Sequence, residues 1–176
     1  NYSNKFLKKS LITLAKLSET RGKDSSGLCT LNQKDHNFDI VKGPIPANQL
    51  FKRNKVKHII KDAFSKENKD NLKLAFGHAR LVTNGTQLED KNNQPVVKED
   101  IICVHNGIVV NVNELWSNYT KLNRKYEIDT EVIPALVRMD LNEGNSVESS
   151  VVNSIDKVFG TVSIALTFTD IQKFIL

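Results

Sequence analysis

The feature that most constrains the fold is a strict alternation of residue types between positions 161 and 168. Apolar side chains occupy every second position: Val162, Ile164, Leu166 and Phe168. Small or polar residues fill the positions between them. Successive residues of a β-strand point to opposite faces, so this pattern predicts a strand with one apolar and one small, polar face. The chain must therefore build at least one sheet.

The other periodic segments divide into blocks of helices and pairs of strands. Helices are predicted at residues 5–19, 47–66, 114–122, 130–141 and 147–158, the last ended by Gly160. Strands are predicted at residues 28–31, 38–42, 72–77, 96–97 and 101–104, and a further strand begins at Phe174. Pro134 must lie near the first turn of its helix, because a proline deeper inside costs about 3 kcal/mol. This order predicts an α+β fold with antiparallel sheets rather than strict βαβ alternation.

Length and cysteine content narrow the class of protein. The 176 residues show no internal repeat and no linker, which predicts a single domain over residues 1–176. Two cysteines cannot form a disulfide framework and indicate a reducing, cytoplasmic compartment. No apolar run approaches the roughly 18–20 residues of a membrane helix, and no secretory signal is visible, so no membrane partner is expected. Neither a metal nor a cofactor is expected.

A net charge of +5 raises the question of nucleic-acid binding. The densest basic stretch covers residues 52–73, but Asp62, Glu67 and Asp70 dilute it. No aromatic residues are interleaved as stacking platforms. This mixture favours a solvated helix face, and no nucleic-acid partner is expected, although a basic nucleic-acid-binding module stays open as an alternative.

Two polar clusters follow a predicted helix and a predicted strand. Residues 21–27 have the composition of a helix end with a glycine cap and a turn. Residues 77–85 contain Arg80, which shares a strand face with Leu74 and Phe76. An inward arginine requires an anionic partner, because an unpaired buried charge is very costly. That partner is either an internal carboxylate or the carboxylate of a ligand.

Two further clusters have a structural and a functional interpretation each. Asn106-Gly107 is typical of a turn, but it can also present a side-chain amide and a backbone N–H as an oxyanion hole does. Asp129 before a helix is typical of an N-cap, but it can also bind an ammonium group. Taken together, the four clusters fit an α-amino acid whose side-chain acyl group is attacked. A nucleophile is the one group they lack.

The same clusters occur in the order of a known family. They are Arg-Gly-Lys-Asp-Ser-Ser-Gly at 21–27, Gly-His-Ala-Arg-Leu-Val-Thr-Asn-Gly at 77–85, Asn-Gln-Pro at 93–95, His-Asn-Gly at 105–107 with Asn111, and Asp-Thr-Glu at 129–131. The chain resembles the class II glutamine amidotransferase domain. It is most similar to the glutaminase domain of glucosamine-6-phosphate synthase, with amidophosphoribosyltransferase a near relative.

The resemblance implies a fold and an activity. The fold is that of the N-terminal-nucleophile (Ntn) hydrolases, a four-layer αββα sandwich of antiparallel sheets. The activity is hydrolysis of the side-chain amide of L-glutamine to glutamate and ammonia, which passes to a synthase domain or subunit outside this chain. The nucleophile in the family is an N-terminal cysteine whose own α-amino group is the base. An α-amine suits this role because its pKa is about 7.7–8.0.

The resemblance also implies roles for individual residues. Arg80 clamps the α-carboxylate of glutamine with the help of Thr83, and Asp129 holds the α-ammonium together with the Gly107 carbonyl. The Asn106 amide and the Gly107 N–H form the oxyanion hole. The supporting residues are Arg21, His78 and His105.

The chain also departs from the family pattern. Leu81 stands where an aromatic residue is common, and Asn84 stands where the synthase group has a histidine. Cys29 and Cys103 occupy mid-strand apolar positions, so we expect buried structural residues and place the catalytic cysteine upstream of Asn1. The domain is accordingly expected to be incomplete at both ends, and residues 1–176 alone are expected to be inactive. The alternative is a catalytically inactive domain of the same fold that binds an amino acid or a protein.

Overall fold

The computed structural model of the chain describes residues 3–32, 37–64, 72–81, 86 and 88–176, with the side chains of 72 and 73 excepted. These residues fall into two compact units. Unit 1 takes in the described residues up to 81 together with residues 86 and 88–95, and unit 2 takes in residues 96–176. Over these ranges, no helix has both the length and the apolar character that crossing a bilayer requires.

Unit 1 contains an antiparallel sheet of three strands. The strands are β1 (Ser25–Asn32), β2 (Phe38–Gly43) and β3 (Leu72–Arg80), in the order β2-β1-β3. This confirms the predicted hairpin of β1 and β2, whose connecting residues 33–36 lie outside the described residues. β3 continues to Arg80, which stands opposite Ser25 on β1.

The helices of unit 1 are α1 (Asn4–Ser18), α2 (Ala47–Leu50) and α3 (Asn54–Ala63), and a 3₁₀ turn covers Asp90–Asn92. The prediction of one helix over 47–66 is wrong. The chain tightens after Leu50, where the N–H of Arg53 donates to the Leu50 carbonyl, and Arg53 then adopts an extended conformation before α3. The break lets α2 and α3 share one core with the sheet. Its buried members are Leu28, Val41, Leu50, Val56, Ile59 and Ile60.

Helix α1 confirms the predicted helix but buries little of its apolar surface. Ser3 caps its first turn by accepting the Phe6 N–H, and Leu11 packs against the core of unit 1. No residue of α1 is fully buried, and Leu14 and Leu17 are mostly exposed.

Unit 2 contains a four-stranded antiparallel sheet. Its strands are β4 (Val96–Lys98), β5 (Ile101–Val109), β6 (Gly160–Phe168) and β7 (Phe174–Ile175), in the order β4-β5-β6-β7. The alternating segment forms β6, as predicted. The predicted end of β5 at residue 104 is wrong, because β5 pairs with β6 over its whole length to Val109. Asn106-Gly107 therefore lies within a strand and not in a turn.

The helices of unit 2 are α4 (Val112–Asn118), α5 (Val132–Asn142) and α6 (Val147–Ile155), and a 3₁₀ turn covers Asp129–Glu131. Pro134 is the third residue of α5, within the first turn as predicted. Gly160 does not end α6 but begins β6. Two hydrophobic clusters contain residues of this sheet. One contains Ile101, Cys103, Val137, Val147, Val151, Leu166 and Phe168, and the other contains Val109, Leu115, Val132, Ile133 and Leu136.

The two antiparallel sheets and their helices confirm the predicted α+β class. The single domain over residues 1–176 stays a prediction.

Leu136 gives a test of the unit 2 core. Leu136 is fully buried on α5, so we expect Leu136→Ala to lower the free energy of unfolding by about 2–5 kcal/mol, measured by urea denaturation with Trp116 fluorescence. Val152→Ala on the exposed side of α6 is the control and should change it by no more than about 0.5 kcal/mol. Equal effects of the two substitutions would contradict this placement of the core.

Candidate functional site

Arg80 ends β3 with its side chain inside unit 1. The residue is only 5% exposed, and its Nη1 donates to the Asn92 carbonyl at 2.8 Å. The strand position predicted this inward orientation. The carbonyl fixes the direction of the guanidinium group, while the carboxylate partner stays a prediction.

Lys42 holds the residues that follow Asn92. Its Nζ donates to the carbonyls of Asn93 at 2.6 Å and Pro95 at 2.8 Å. Burial lowers the pKa of Lys42 to about 8. Two cationic side chains thus hold three backbone carbonyls of residues 92–95. Sequence reasoning missed Lys42, because only the β1–β2 register, which sets it opposite Gly27, brings it to this segment.

Two glycines of the 21–27 motif allow close backbone approaches within unit 1. A Cβ on Gly22 would lie 2.2 Å from the Arg80 carbonyl carbon, and a Cβ on Gly27 would lie 2.0 Å from the Gln94 oxygen. The N–H of Asp24 also donates to the Arg80 carbonyl at 3.1 Å. The interpretation of this motif as a glycine cap is wrong, because α1 already ends at Ser18 and the glycines serve packing instead.

The structure describes some, but not all, of the remaining candidate site residues in the first half of the chain. His78 is half-buried on β3. Together with Leu28 and Phe76 it lines a cavity of about 400 Å³ in unit 1. Arg21 is exposed, and its backbone N–H donates to the Ser18 carbonyl. Thr83 lies outside the described residues, as does Asn84.

Asn106 and Gly107 lie side by side on β5, opposite Ser163 and Val162 of β6. Gly107 has φ of +152°, and a Cβ there would lie 1.9 Å from the Thr161 oxygen. Only glycine fits this backbone. The Asn106 side chain is exposed.

Asp129 begins the 3₁₀ turn and is buried, with 4% of its surface exposed. Its Oδ2 accepts the Val109 N–H at 2.9 Å, so the carboxylate is bonded to β5 two residues beyond Gly107. The N-cap interpretation is wrong, because the N-cap position is Ile128 and the carboxylate bonds to a strand. Unit 2 therefore brings Asp129 close to the strand that carries Asn106 and Gly107.

His105 is buried beside these groups and uses both ring nitrogens. Nε2 lies 3.2 Å from the Thr161 carbonyl, and Nδ1 lies 3.4 Å from Thr130 Oγ1. A carbonyl can only accept, so Nε2 carries a proton and donates it to Thr161. This arrangement supports β5 and the neighbouring turn.

Sequence reasoning also missed a buried ion pair. Lys98 Nζ lies 2.9 Å from Glu131 Oε1, and both side chains are almost completely buried. No local pattern pairs the end of β4 with a turn 33 residues later. Among the described residues, no group of three or more potential ligands could hold a metal ion.

Both cysteines are buried strand residues, as predicted. Burial raises the pKa of the Cys29 thiol to about 12 and raises that of Cys103 further above its usual range. Since the thiolate is the nucleophilic form, neither position supports nucleophilic catalysis near neutral pH.

A comparison with protein families matches residues 78–176 to the model of the glutamine amidotransferase domain. This match covers more than half of the chain. The chain belongs to the glutamine amidotransferase domain family. This membership confirms the resemblance drawn from the five motifs.

Curated relatives of this amidotransferase domain carry the name glutamine–fructose-6-phosphate aminotransferase (isomerizing). The Bartonella quintana protein is 32% identical over 163 residues, which are 90% of this chain and 24% of the relative. The Clostridium acetobutylicum protein is 34% identical over 157 residues, 87% of this chain and 23% of the relative. The chain thus spans about a quarter of the length of these relatives.

Solved structures show the same fold at lower identity. The glutamine phosphoribosylpyrophosphate amidotransferase of B. subtilis has a TM-score of 0.65 at 20% identity, covering 90% of this chain and 32% of that one. An allosteric regulatory enzyme of purine biosynthesis has the same TM-score at 18% identity, covering 92% and 33%. The amidotransferase domain therefore has the fold expected for Ntn amidotransferases.

Gly27 and Gly43 test the close approach to Gln94. Gly27→Ala forces the Gln94 carbonyl away, so we expect a loss of about 1–3 kcal/mol in the free energy of unfolding. Gly43→Ala on β2 meets nothing closer than 3.5 Å and should be neutral or slightly stabilising. Equal stability of the two variants in urea would contradict the packing of residues 92–95 on Gly27.

The cysteine environment predicts slow alkylation. In the folded protein at pH 7–9, iodoacetamide should leave Cys29 and Cys103 unmodified, whereas both should react in denaturant, as read by peptide mass spectrometry. Labelling of either thiol in the folded protein at the rate of a free cysteine would refute their assignment as inert.

Proposed function

We propose that the protein hydrolyses the side-chain amide of L-glutamine to glutamate and ammonia and delivers the ammonia to an acceptor. Family membership supports the reaction class. The observation that carries the proposal is the bond of the buried Asp129 carboxylate to Val109, beside the Gly107 backbone that no other residue fits.

Asp129 suits the α-ammonium group of glutamine. A buried carboxylate in a site of low dielectric attracts a cation more strongly than an exposed one does. The Gly107 carbonyl is the second proposed acceptor. A ligand ammonium would also offset the cost of burying this carboxylate.

Asn106 and Gly107 suit the oxyanion of the tetrahedral intermediate. The exposed Asn106 amide can turn towards a ligand, and the Gly107 N–H lies on the adjacent residue of the same rigid strand. Such donors stabilise charge that develops in the transition state.

Arg80 suits the α-carboxylate, which its guanidinium group can bind bidentately. Its bond to the Asn92 carbonyl limits its rotation and so fixes the orientation of the guanidinium group. Thr83 is the proposed second donor to that carboxylate. Arg21, His78 and His105 keep supporting roles in this proposal.

The nucleophile is proposed to be an N-terminal cysteine upstream of Asn1. Its thiol, deprotonated by its own α-amine, attacks the amide carbon, and the protonated amine returns that proton to the departing ammonia. Water then attacks the glutamyl thioester, which releases glutamate and restores the thiol.

The acceptor of the ammonia is proposed to be a synthase domain or subunit beyond this chain. The curated relatives are about four times as long and are named aminotransferases of fructose-6-phosphate, which supports an acceptor domain on the same polypeptide. The two free cysteines support action in the reducing cytoplasm.

Asn106 provides the most direct test of this proposal. In the full-length protein, Asn106→Ala should lower kcat for ammonia release from glutamine by about 10²–10³-fold, or about 3–4 kcal/mol, because one oxyanion donor is lost. Asn118→Ala on the surface of α4 is the matched control and should leave kcat unchanged.

Two outcomes would overturn parts of the proposal. An unchanged rate in Asn106→Ala would remove Asn106 from the oxyanion hole. Glutamine binding by the full-length protein without ammonia release would support the inactive binding module instead.

A further inference from the structure

The buried pair Lys98–Glu131 lies outside the residues that the proposed reaction uses. Both charges are withdrawn from water. A buried ion pair contributes little more to the stability of the folded protein than apolar side chains of the same size would. Stability alone is therefore a weak reason for its presence. The contacts of the pair indicate what else it does.

Glu131 closes the irregular segment that leads from α4 to the 3₁₀ turn. Oε1 accepts from Lys98 Nζ and from the Lys125 N–H, both at 2.9 Å, and Oε2 accepts from the Tyr126 N–H at 2.7 Å. One carboxylate thus holds a strand and two consecutive amides of the segment. No helix or strand covers residues 119–128, and these bonds are among the contacts that fix the path of the segment.

Lys98 connects the same segment to its surroundings. Its ammonium group also donates to the Asn123 carbonyl and lies 5.7 Å from the centre of the Trp116 ring. The ammonium is thereby satisfied on several sides without solvent. Lys98 and Glu131 together connect β4, α4 and residues 119–128 to the last residue of the turn Asp129–Glu131.

The other end of the turn bonds to β5. Asp129 accepts the Val109 N–H, and Thr130 contacts His105. Because three consecutive residues of one short turn carry these contacts, a shift of Glu131 is transmitted through the turn to Asp129. We propose that Lys98 and Glu131 are positioning residues that set the Asp129 carboxylate for the α-ammonium of the substrate. This inference rests on the proposed function.

A pair of substrates separates positioning from general stability. L-Glutamine carries the α-ammonium, whereas 4-carbamoylbutanoate is the same molecule without it. In the full-length protein, Lys98→Met and Glu131→Gln should each lower kcat/KM for glutamine by about tenfold, through KM, since a hydrogen bond to a charged group is weakened. The value for 4-carbamoylbutanoate should be unchanged, and Asp129→Asn should show the same selective loss.

Lys173→Met is the matched control, because Lys173 forms an exposed ion pair with Glu148 in the same unit. It should leave both substrates unaffected. Equal losses for both substrates in the Lys98 and Glu131 variants, or no loss for either, would overturn the positioning role while leaving glutamine hydrolysis intact. Absence of ammonia release by the unaltered protein would instead reject the proposed function.

Amide hydrogen exchange tests the same link without any activity. The Val109 N–H should exchange faster in Glu131→Gln by about tenfold or more, because its bond to Asp129 opens more often, whereas the Ile102 N–H should not change. Lys98→Met provides a second variant should Glu131→Gln fail to fold. Unchanged protection of Val109 in a folded variant would overturn the proposal.

Discussion

The structure of unit 2 depends above all on the burial of two carboxylates in one short turn. Asp129 and Glu131 are withdrawn from water, and their oxygens accept backbone N–H groups of Val109, Lys125 and Tyr126. A buried carboxylate without partners is very costly, so these bonds cannot open without a large loss of free energy. The turn is therefore fixed against β5, which is the strand of the proposed oxyanion donors.

Unit 1 also fixes a backbone segment through buried charges, but here cationic side chains donate to backbone carbonyls. Arg80 and Lys42 donate to the backbone of residues 92–95, and Gly27 lets that segment approach β1. A guanidinium group held in this way loses little further rotamer freedom when it binds a carboxylate. Both units thus orient a charged side chain through backbone contacts, before any ligand is present.

The sequence predicted the elements whose signal is periodic. The alternation along β6 and the hairpin of β1 and β2 needed no knowledge of distant residues. The dipeptide Asn106-Gly107 is typical of turns and so predicts a strand end, whereas pairing with β6 continues the strand. The break after Leu50 was missed because the apolar pattern continues across it.

Candidate site residues could be proposed only where a motif carried them. The family motifs pointed to Arg80, Asn106 and Asp129, but no pattern signals that Lys98 meets Glu131. Such a pair depends on tertiary structure, because a short strand and a distant turn bring it together. The burial of the cysteines followed from their strand positions.

The measurement that tests the central claim most directly is covalent trapping with a glutamine analogue that carries a diazoketone in place of the carboxamide. In the full-length protein, peptide mass spectrometry should find one adduct, on a cysteine upstream of Asn1, and excess glutamine should prevent it. Cys29 and Cys103 should stay unmodified because both are buried. An adduct on either of these two, or labelling that glutamine does not suppress, would contradict the account.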